Sequence, residues 1–202
     1  MRKEKLVLGT RNEEKRRELE RLLKGSGIQV LSLEKFPECP EAAENGKTFE
    51  ANARKKAGHY SRFTRRLTLA DDSGLMVDFL KGKPGVLSAR FAGEPCSYAD
   101  NNRKLLGLLG SLPPERRAAK FVCVMALYDS GRPVKVVRGE CRGRIASAEK
   151  GRNGFGYDPV FIPKGFKKTF AELSPSTKNR ISHRGKALRL AKRAILDYFT
   201  GW

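Results

Sequence analysis

The period of apolar residues changes several times along the chain, and each change predicts an element. "KLVLG" (Lys5 to Gly9) is a short apolar run that reads as a strand. "TRNEEKRRELERLLKGSG" follows with helical spacing: Asn12 suits an N-cap, Glu13 and Glu14 suit the first turn, and Leu19, Leu22 and Leu23 form the apolar stripe. Gly25 and Gly27 stop it, and "IQVLSL" (Ile28 to Leu33) predicts a second strand. After a polar loop with Pro37 and Pro40, Thr48 caps a helix whose Phe49, Ala53, Ala57 and Tyr60 share a face.

"LTLA" predicts a strand that runs into the turn-like "DDSG", and "LMVDFL" predicts another strand beyond it. "KGKPGVLSARFAGE" is a Gly/Pro-rich loop long enough to suggest a function. Ser97 caps the next helix, "SYADNNRKLLGLLGSL", which ends before Pro113 and Pro114. "KFVCVMALYD" (Lys120 to Asp129) is apolar on both faces, as a central strand should be, and "DSGR" turns it into an antiparallel neighbour, "PVKVVRGECRGRIA". A Gly-rich loop, "EKGRNGFGYDPVFIP", leads to a short strand. In the last helix Leu188, Ala191, Ile195 and Tyr198 share a face, with Ser182 as its cap. The order β-α-β-α-β-β-α-β-β-β-α predicts an α/β fold with a mixed twisted sheet flanked by helices.

Composition narrows the class. The 202 residues suit a single domain, and 39% hydrophobic residues supply a core. No apolar run reaches the roughly 18 residues of a membrane span, and the N-terminus lacks the long apolar stretch of a signal peptide; the expectation is a soluble, cytoplasmic protein. Cys39, Cys96, Cys123 and Cys141 are scattered, and His59 and His183 are the only histidines, which argues against a zinc site or a disulfide framework. The net charge of +20 attracts polyanions: nucleic acid, a triphosphate, or neither if the charge belongs to a heat-stable surface.

Four stretches carry candidate chemistry. Thr10, Asn12 and Lys15 lie where a strand hands over to a helix, and a helix N-terminus with a lysine one turn in favours phosphate; an ordinary Asn cap is the plain alternative. Asp71 and Asp72 point to opposite faces of a strand, so only one of them can face a given ligand. A carboxylate there suits Mg²⁺, Glu44 is a second carboxylate, and Ser73 can hydrogen-bond a phosphate or a ribose; an Asx turn is the competing reading. In "GFGYDP" two glycines flank Phe155, whose ring can stack on a nucleobase, and Asp158 can accept from base N–H groups; a turn with a core aromatic is the competing reading. Lys178, His183 and Arg184 are donors suited to a carbonyl oxygen or phosphate, set against a plainly solvated basic segment. Together these parts make a nucleotide site.

In this combination the chain resembles the house-cleaning nucleoside triphosphate pyrophosphatases that act on inosine and xanthosine triphosphates. The likeness runs through "TRNEEK", "ENGKTFEANA", "LADDSGL", "GKPGVLSARFAGE", "FVCVMAL", "GFGYDPVFIP" and "KNRISHRGKAL", nearly the whole chain. The resemblance implies an elongated, two-lobed single domain (residues 1–202) with a central cleft, a cytoplasmic homodimer, and Mg²⁺-dependent hydrolysis of ITP, dITP and XTP to the monophosphate and pyrophosphate. It places Thr10, Arg11, Asn12, Glu13, Glu14 and Lys15 on triphosphate binding and Asp72 on catalysis and metal binding. Glu44 becomes a second metal carboxylate, Ser73 a substrate contact, and Phe155, Gly156, Tyr157, Asp158 and Lys178 the lining of the base pocket. His183 and Arg184 read the base. Asn153 departs from the glycine common in the family. A nucleic-acid-binding protein on a related fold is the alternative, favoured by the charge but without a recognised nucleic-acid motif; a pyrophosphatase for other modified nucleotides is another.

Overall fold

A computed structural model describes residues 4–201. Among these, six strands hydrogen-bond in the order β2-β1-β3-β4-β5-β6. The strands are β1 (Glu4–Leu8), β2 (Ile28–Ser32), β3 (Thr68–Val77), β4 (Ala118–Asp129), β5 (Arg132–Ile145) and β6 (Phe161–Pro163). The helices are α1 (Glu13–Leu22), α2 (Phe49–Thr64), α3 (Tyr98–Leu109), α4 (Pro175–Ile181) and α5 (His183–Thr200). The sheet is mixed: β1 runs parallel to β2 and β3, and β5 antiparallel to β6. Ser130 and Gly131 join β4 to β5 with φ of 47° and 85°, the paired positive angles of the tight turn that suits a twisted hairpin.

The chain divides into two compact units. The first takes the chain up to Asp72, Cys123–Arg138 and the chain from Ala187 onward; the second takes Ser73–Val122 and Gly139–Lys186. In the first, Leu6 and Leu8 of β1 meet Leu19 of α1, Met125 of β4 and Ile195 of α5 in one apolar cluster. Val7, which points to the other face of β1, packs with Leu31, Leu33 and Tyr60 of α2 in another. α1 and α5 on one side and α2 on the other therefore cover opposite faces of β1. In the second unit Leu75, Leu105, Phe121, Ile145, Phe161 and Phe170 form the core. Val122–Leu127 are all buried, as the two-sided apolar pattern of β4 predicts.

Two expected elements differ. "DDSG" makes no turn: β3 continues from Thr68 through both aspartates and Gly74 to Val77 as one strand. The local turn chemistry of Asp, Ser and Gly yields here to ladder pairing, and the Leu75 amide donates to Ser88 Oγ at 2.9 Å. The C-terminal segment holds two helices, because Ser182 adopts an extended φ/ψ that ends α4, while its Oγ accepts the Gly185 amide at 3.1 Å and caps α5. His183 and Arg184 are thus in the first turn of α5. No helix among the described residues is long and apolar enough to cross a membrane.

Candidate active site

The first unit gathers the groups suited to phosphate. β1 ends at Gly9, where an added Cβ would lie 2.9 Å from Ala70 Cβ and from the Tyr60 ring, so the chain passes close only because this residue has no side chain. Thr10 and Asn12 then build the entry to α1: the Asn12 amide donates to Thr10 Oγ1 at 3.2 Å, and Asn12 Oδ1 accepts the Lys15 amide at 3.0 Å. Of the acids in this turn, Glu13 is gripped by Arg16 through two bonds of 2.9 and 2.7 Å, which holds its carboxyl below the usual range. Arg11 lies 3.9 Å from Glu41, and Glu14 is exposed. Lys15 Nζ donates to Asp71 Oδ2 at 2.9 Å, and Asp71 is only 3% exposed. Asp71 faces the side of β3 that α1 covers.

Its neighbour Asp72 faces the α2 side. Asp72 Oδ2 accepts Asn52 Nδ2 at 2.9 Å, and Asn52 Oδ1 accepts the Gly46 amide at 2.7 Å. One turn further along α2, the buried Lys56 pairs with Glu44 Oε2 at 3.0 Å. Asn52 and Lys56 sit on the buried face with Phe49, Ala53, Ala57 and Tyr60. A single helix face therefore organises both predicted metal carboxylates. Neither Asn52 nor Lys56 figures among the residues expected from sequence. The signal was their i, i+4 spacing inside an apolar stripe, where a solvated lysine would not be placed.

The second unit gathers the groups suited to a flat base. Gly154 and Gly156 have φ of +81° and +63°, and a Cβ on Gly154 would fall 2.0 Å from Asp158 Oδ2. Between them Phe155 presents a ring that is 48% exposed, 6.2 Å from the Tyr98 ring and 5.1 Å from Lys178 Nζ. Asp158 is buried; its Oδ2 accepts the Phe155 amide at 2.9 Å and pairs with Lys178 Nζ. Burial raises the Asp158 carboxyl above its ordinary value, against the pull of Lys178 and the amide. Tyr157 is a buried support: its hydroxyl donates to Ser88 O at 2.9 Å, and burial pushes its phenol up. His183 lies flat on Phe121, 4.6 Å between centroids and 8° between planes, and Arg184 is buried beside it in sequence.

Asn102 of α3 is a further missed residue. It is 2% exposed, and its Nδ2 donates to Gly156 O at 3.1 Å. Its neighbour Asn101 bonds Ala89 O and the Ala92 amide, so α3 holds the 85–97 loop as well as the Phe155 turn.

A family model described as the Ham1 family matches residues 6–194. The chain belongs to the Ham1 family. It is 52% identical over 191 residues to a dITP/XTP pyrophosphatase of Desulforamulus reducens, covering 95% of each chain. A dITP/XTP pyrophosphatase of Geobacillus kaustophilus is 50% identical over 183 residues, covering 91% of this chain and 90% of the relative. Among solved Ham1 structures, that from Coxiella burnetii superposes with a TM-score of 0.89 at 37% identity, covering 96% and 99% of the two chains. The Staphylococcus aureus Ham1 protein superposes at 0.88 with 36% identity, covering 95% and 98%. These likenesses agree with the mixed six-stranded α/β architecture described above.

For a divalent cation the Ham1 chain offers two carboxylates. Among the described residues no group of three or more His, Cys, Asp or Glu side chains is placed to hold a metal. Mg²⁺ commonly takes one or two carboxylates and completes its shell with water and substrate phosphates. Asp72 and Glu44, held by neighbouring turns of α2, fit that description.

Proposed function

We propose that this chain, as one catalytic domain over residues 1–202, hydrolyses non-canonical purine nucleoside triphosphates (ITP, dITP and XTP) to the monophosphate and pyrophosphate. The observation that carries this reading is 52% identity over 95% of the chain with a protein named for dITP and XTP. The reaction class is hydrolysis of a phosphoanhydride.

On this reading each group has a role. The α1 entry formed by Thr10 to Lys15 is built for phosphate: N–H groups at a helix start, with the Lys15 ammonium one turn in. Lys15 neutralises charge on the departing pyrophosphate, exchanging some of its contact with Asp71. Asp72, oriented by Asn52, accepts the proton of the attacking water. Asp72 and Glu44 would hold Mg²⁺, which when bound neutralises phosphate charge and polarises the phosphorus under attack. Lys56 directs Glu44 through their ion pair. Ser73 contacts the substrate beyond Asp72.

In the second unit Phe155 stacks on the purine, with Gly156, Tyr157, Asp158 and Lys178 completing the pocket. The Asp158–Lys178 pair fixes the turn that presents the ring. His183 and Arg184 donate to the 6-oxo group. A 6-amino group offers no acceptor there and would leave donors unpaired, which is how ATP is rejected. The proposal includes a homodimer in the cytoplasm.

The test is pyrophosphate release from ITP, XTP, dITP, GTP and ATP, with and without Mg²⁺. Strong Mg²⁺-dependent release from the first three with little from ATP is expected. Silence on all five would overturn the reading.

A further inference from the structure

Hydrolysing a mononucleotide does not account for a net charge of +20. One part of the excess is arranged in an unusual way. From Arg138 to Ile145 the β5 residues alternate strictly in exposure, and Glu140, Arg142 and Arg144 stand on the outward side. β6 pairs with this stretch in the register Gly143↔Pro163 and Arg144↔Ile162, and the Lys164 amide donates to Arg142 O at 2.8 Å. Arg142 and Lys164 are therefore directly opposite across the pair, an arrangement of like charges that is unfavourable unless an anion is placed between them. Among the described residues neither they nor Arg144 makes an ion pair. Glu140, on the same outward side, lies 3.7 Å from Lys120.

These cations line two adjoining hollows of about 460 and 250 Å³ that share Arg142, Pro163, Lys164 and Phe166. Arg180 and Lys186 add cations to the larger one, and Lys167 and Lys168 follow the exposed turn. The half-buried Phe166 ring sits among them. A lysine on an edge strand can serve merely to block edge pairing. That accounts for Lys164 but not for Arg142, whose strand is paired. A heat-stable ion-pair network needs matched acids, and among the described residues the two hollows are lined by one carboxylate, Glu140, against five cations, Arg142, Arg144, Lys164, Arg180 and Lys186. A second copy of this chain would bring the same positive charge.

We infer that this groove binds the sugar–phosphate chain of a single-stranded nucleic acid. Arg142, Arg144 and Lys164 along one face can track consecutive phosphates, and an aromatic ring beside them offers a stacking platform, the combination that single-strand binders use. None of the residues lining the groove is among those assigned to the Phe155 pocket.

The experiment is fluorescence anisotropy of a labelled oligouridylate of about 20 nucleotides, longer than a single binding domain covers. It is run on the full chain with EDTA present. Arg142→Glu/Lys164→Glu is compared with Arg132→Glu/Lys135→Glu, which changes net charge equally at exposed β5 positions outside the groove. The groove variant should lose about tenfold or more in affinity and lower the slope of log K against log salt by about 1.4, two phosphate contacts on a single strand. The control variant should change affinity by less than about threefold. Phe166→Leu, which keeps an apolar side chain but removes the ring, should weaken binding about fivefold or more through lost stacking. Equal weakening by both charge variants would reduce the site to diffuse surface charge and overturn the inference. So would displacement by inorganic polyphosphate as effective, per phosphate, as by the oligonucleotide, or equal affinity for a duplex. ITP hydrolysis by the groove variant should match the parent; its loss would place the groove in the catalytic machinery and overturn a separate site.

Discussion

Asn52 Nδ2 donates to Asp72 Oδ2 at 2.9 Å, while the same amide's oxygen takes the Gly46 N–H at 2.7 Å. One side chain thus fixes the predicted base and the loop that carries Glu44. Asp72→Asn keeps the shape and removes the charge. It should fold with little change in Tm and lose about 10²–10⁴-fold in kcat, the scale of a general base. Asn52→Ala should lose activity less severely and also stability, by about 1 kcal/mol, because the part-buried Gly46 amide loses its acceptor. Pyrophosphate release and thermal unfolding on the two variants check both. Near-normal turnover in Asp72→Asn would remove Asp72 from the mechanism.

Lys15 and Asp71 form a pair that is largely out of solvent, so Lys15→Ala does two things at once. It weakens triphosphate binding, seen as a raised KM for ITP. It also removes the ammonium from the buried Asp71 carboxylate, destabilising the fold by about 3 kcal/mol, the scale of breaking a buried pair from one side. Adding Asp71→Asn to Lys15→Ala should restore most of the stability and none of the KM. If stability and KM recover together, Lys15 acts only through the fold and the phosphate cradle is wrong.

Much of this architecture is legible in the sequence. Asn12, Thr48 and Ser97 are caps as expected, and the two-sided apolar run of β4 is central. The Asp pair misled because "DDSG" is good turn chemistry locally, and only its position in the ladder makes it strand. Asn52 and Lys56 went unseen for a related reason: a polar residue on a helical stripe becomes informative only once the face is known to be buried. The same holds for Asn102, whose neighbours in "ADNNRK" look like ordinary surface. What sequence could not supply was which carboxylate each of these groups addresses. Lys15 turned out to meet Asp71, and Asn52 to meet Asp72.

Gly154 has no room for a side chain. A Cβ would sit 2.0 Å from Asp158 Oδ2 and 3.0 Å from Lys178 Nζ, at a φ of +81°. Gly154→Ala should therefore displace the Asp158–Lys178 pair and the Phe155 ring with it. The expected result is a fall of about 10²-fold in kcat/KM for ITP, a scale set by misplacing a substrate-positioning contact. The ITP-to-ATP preference should shrink in parallel. An unchanged preference with reduced stability would show that the turn supports the fold but not base selection.

Asp158 gives a pH signature of definite sign. Burial raises its carboxyl above the ordinary value in spite of Lys178, so in the window between the unfolded and folded values the native state holds more proton than the unfolded one. Its contribution to stability is full below the unfolded value, about 3.9, and is lost as pH rises through the folded value. Asp158→Asn does not titrate. Urea unfolding from about pH 3.5 to 6 should show the parent losing stability relative to this variant as pH rises. The opposite slope would mean that the Lys178 ammonium outweighs burial, and that Asp158 is ionised and salt-bridged throughout this range.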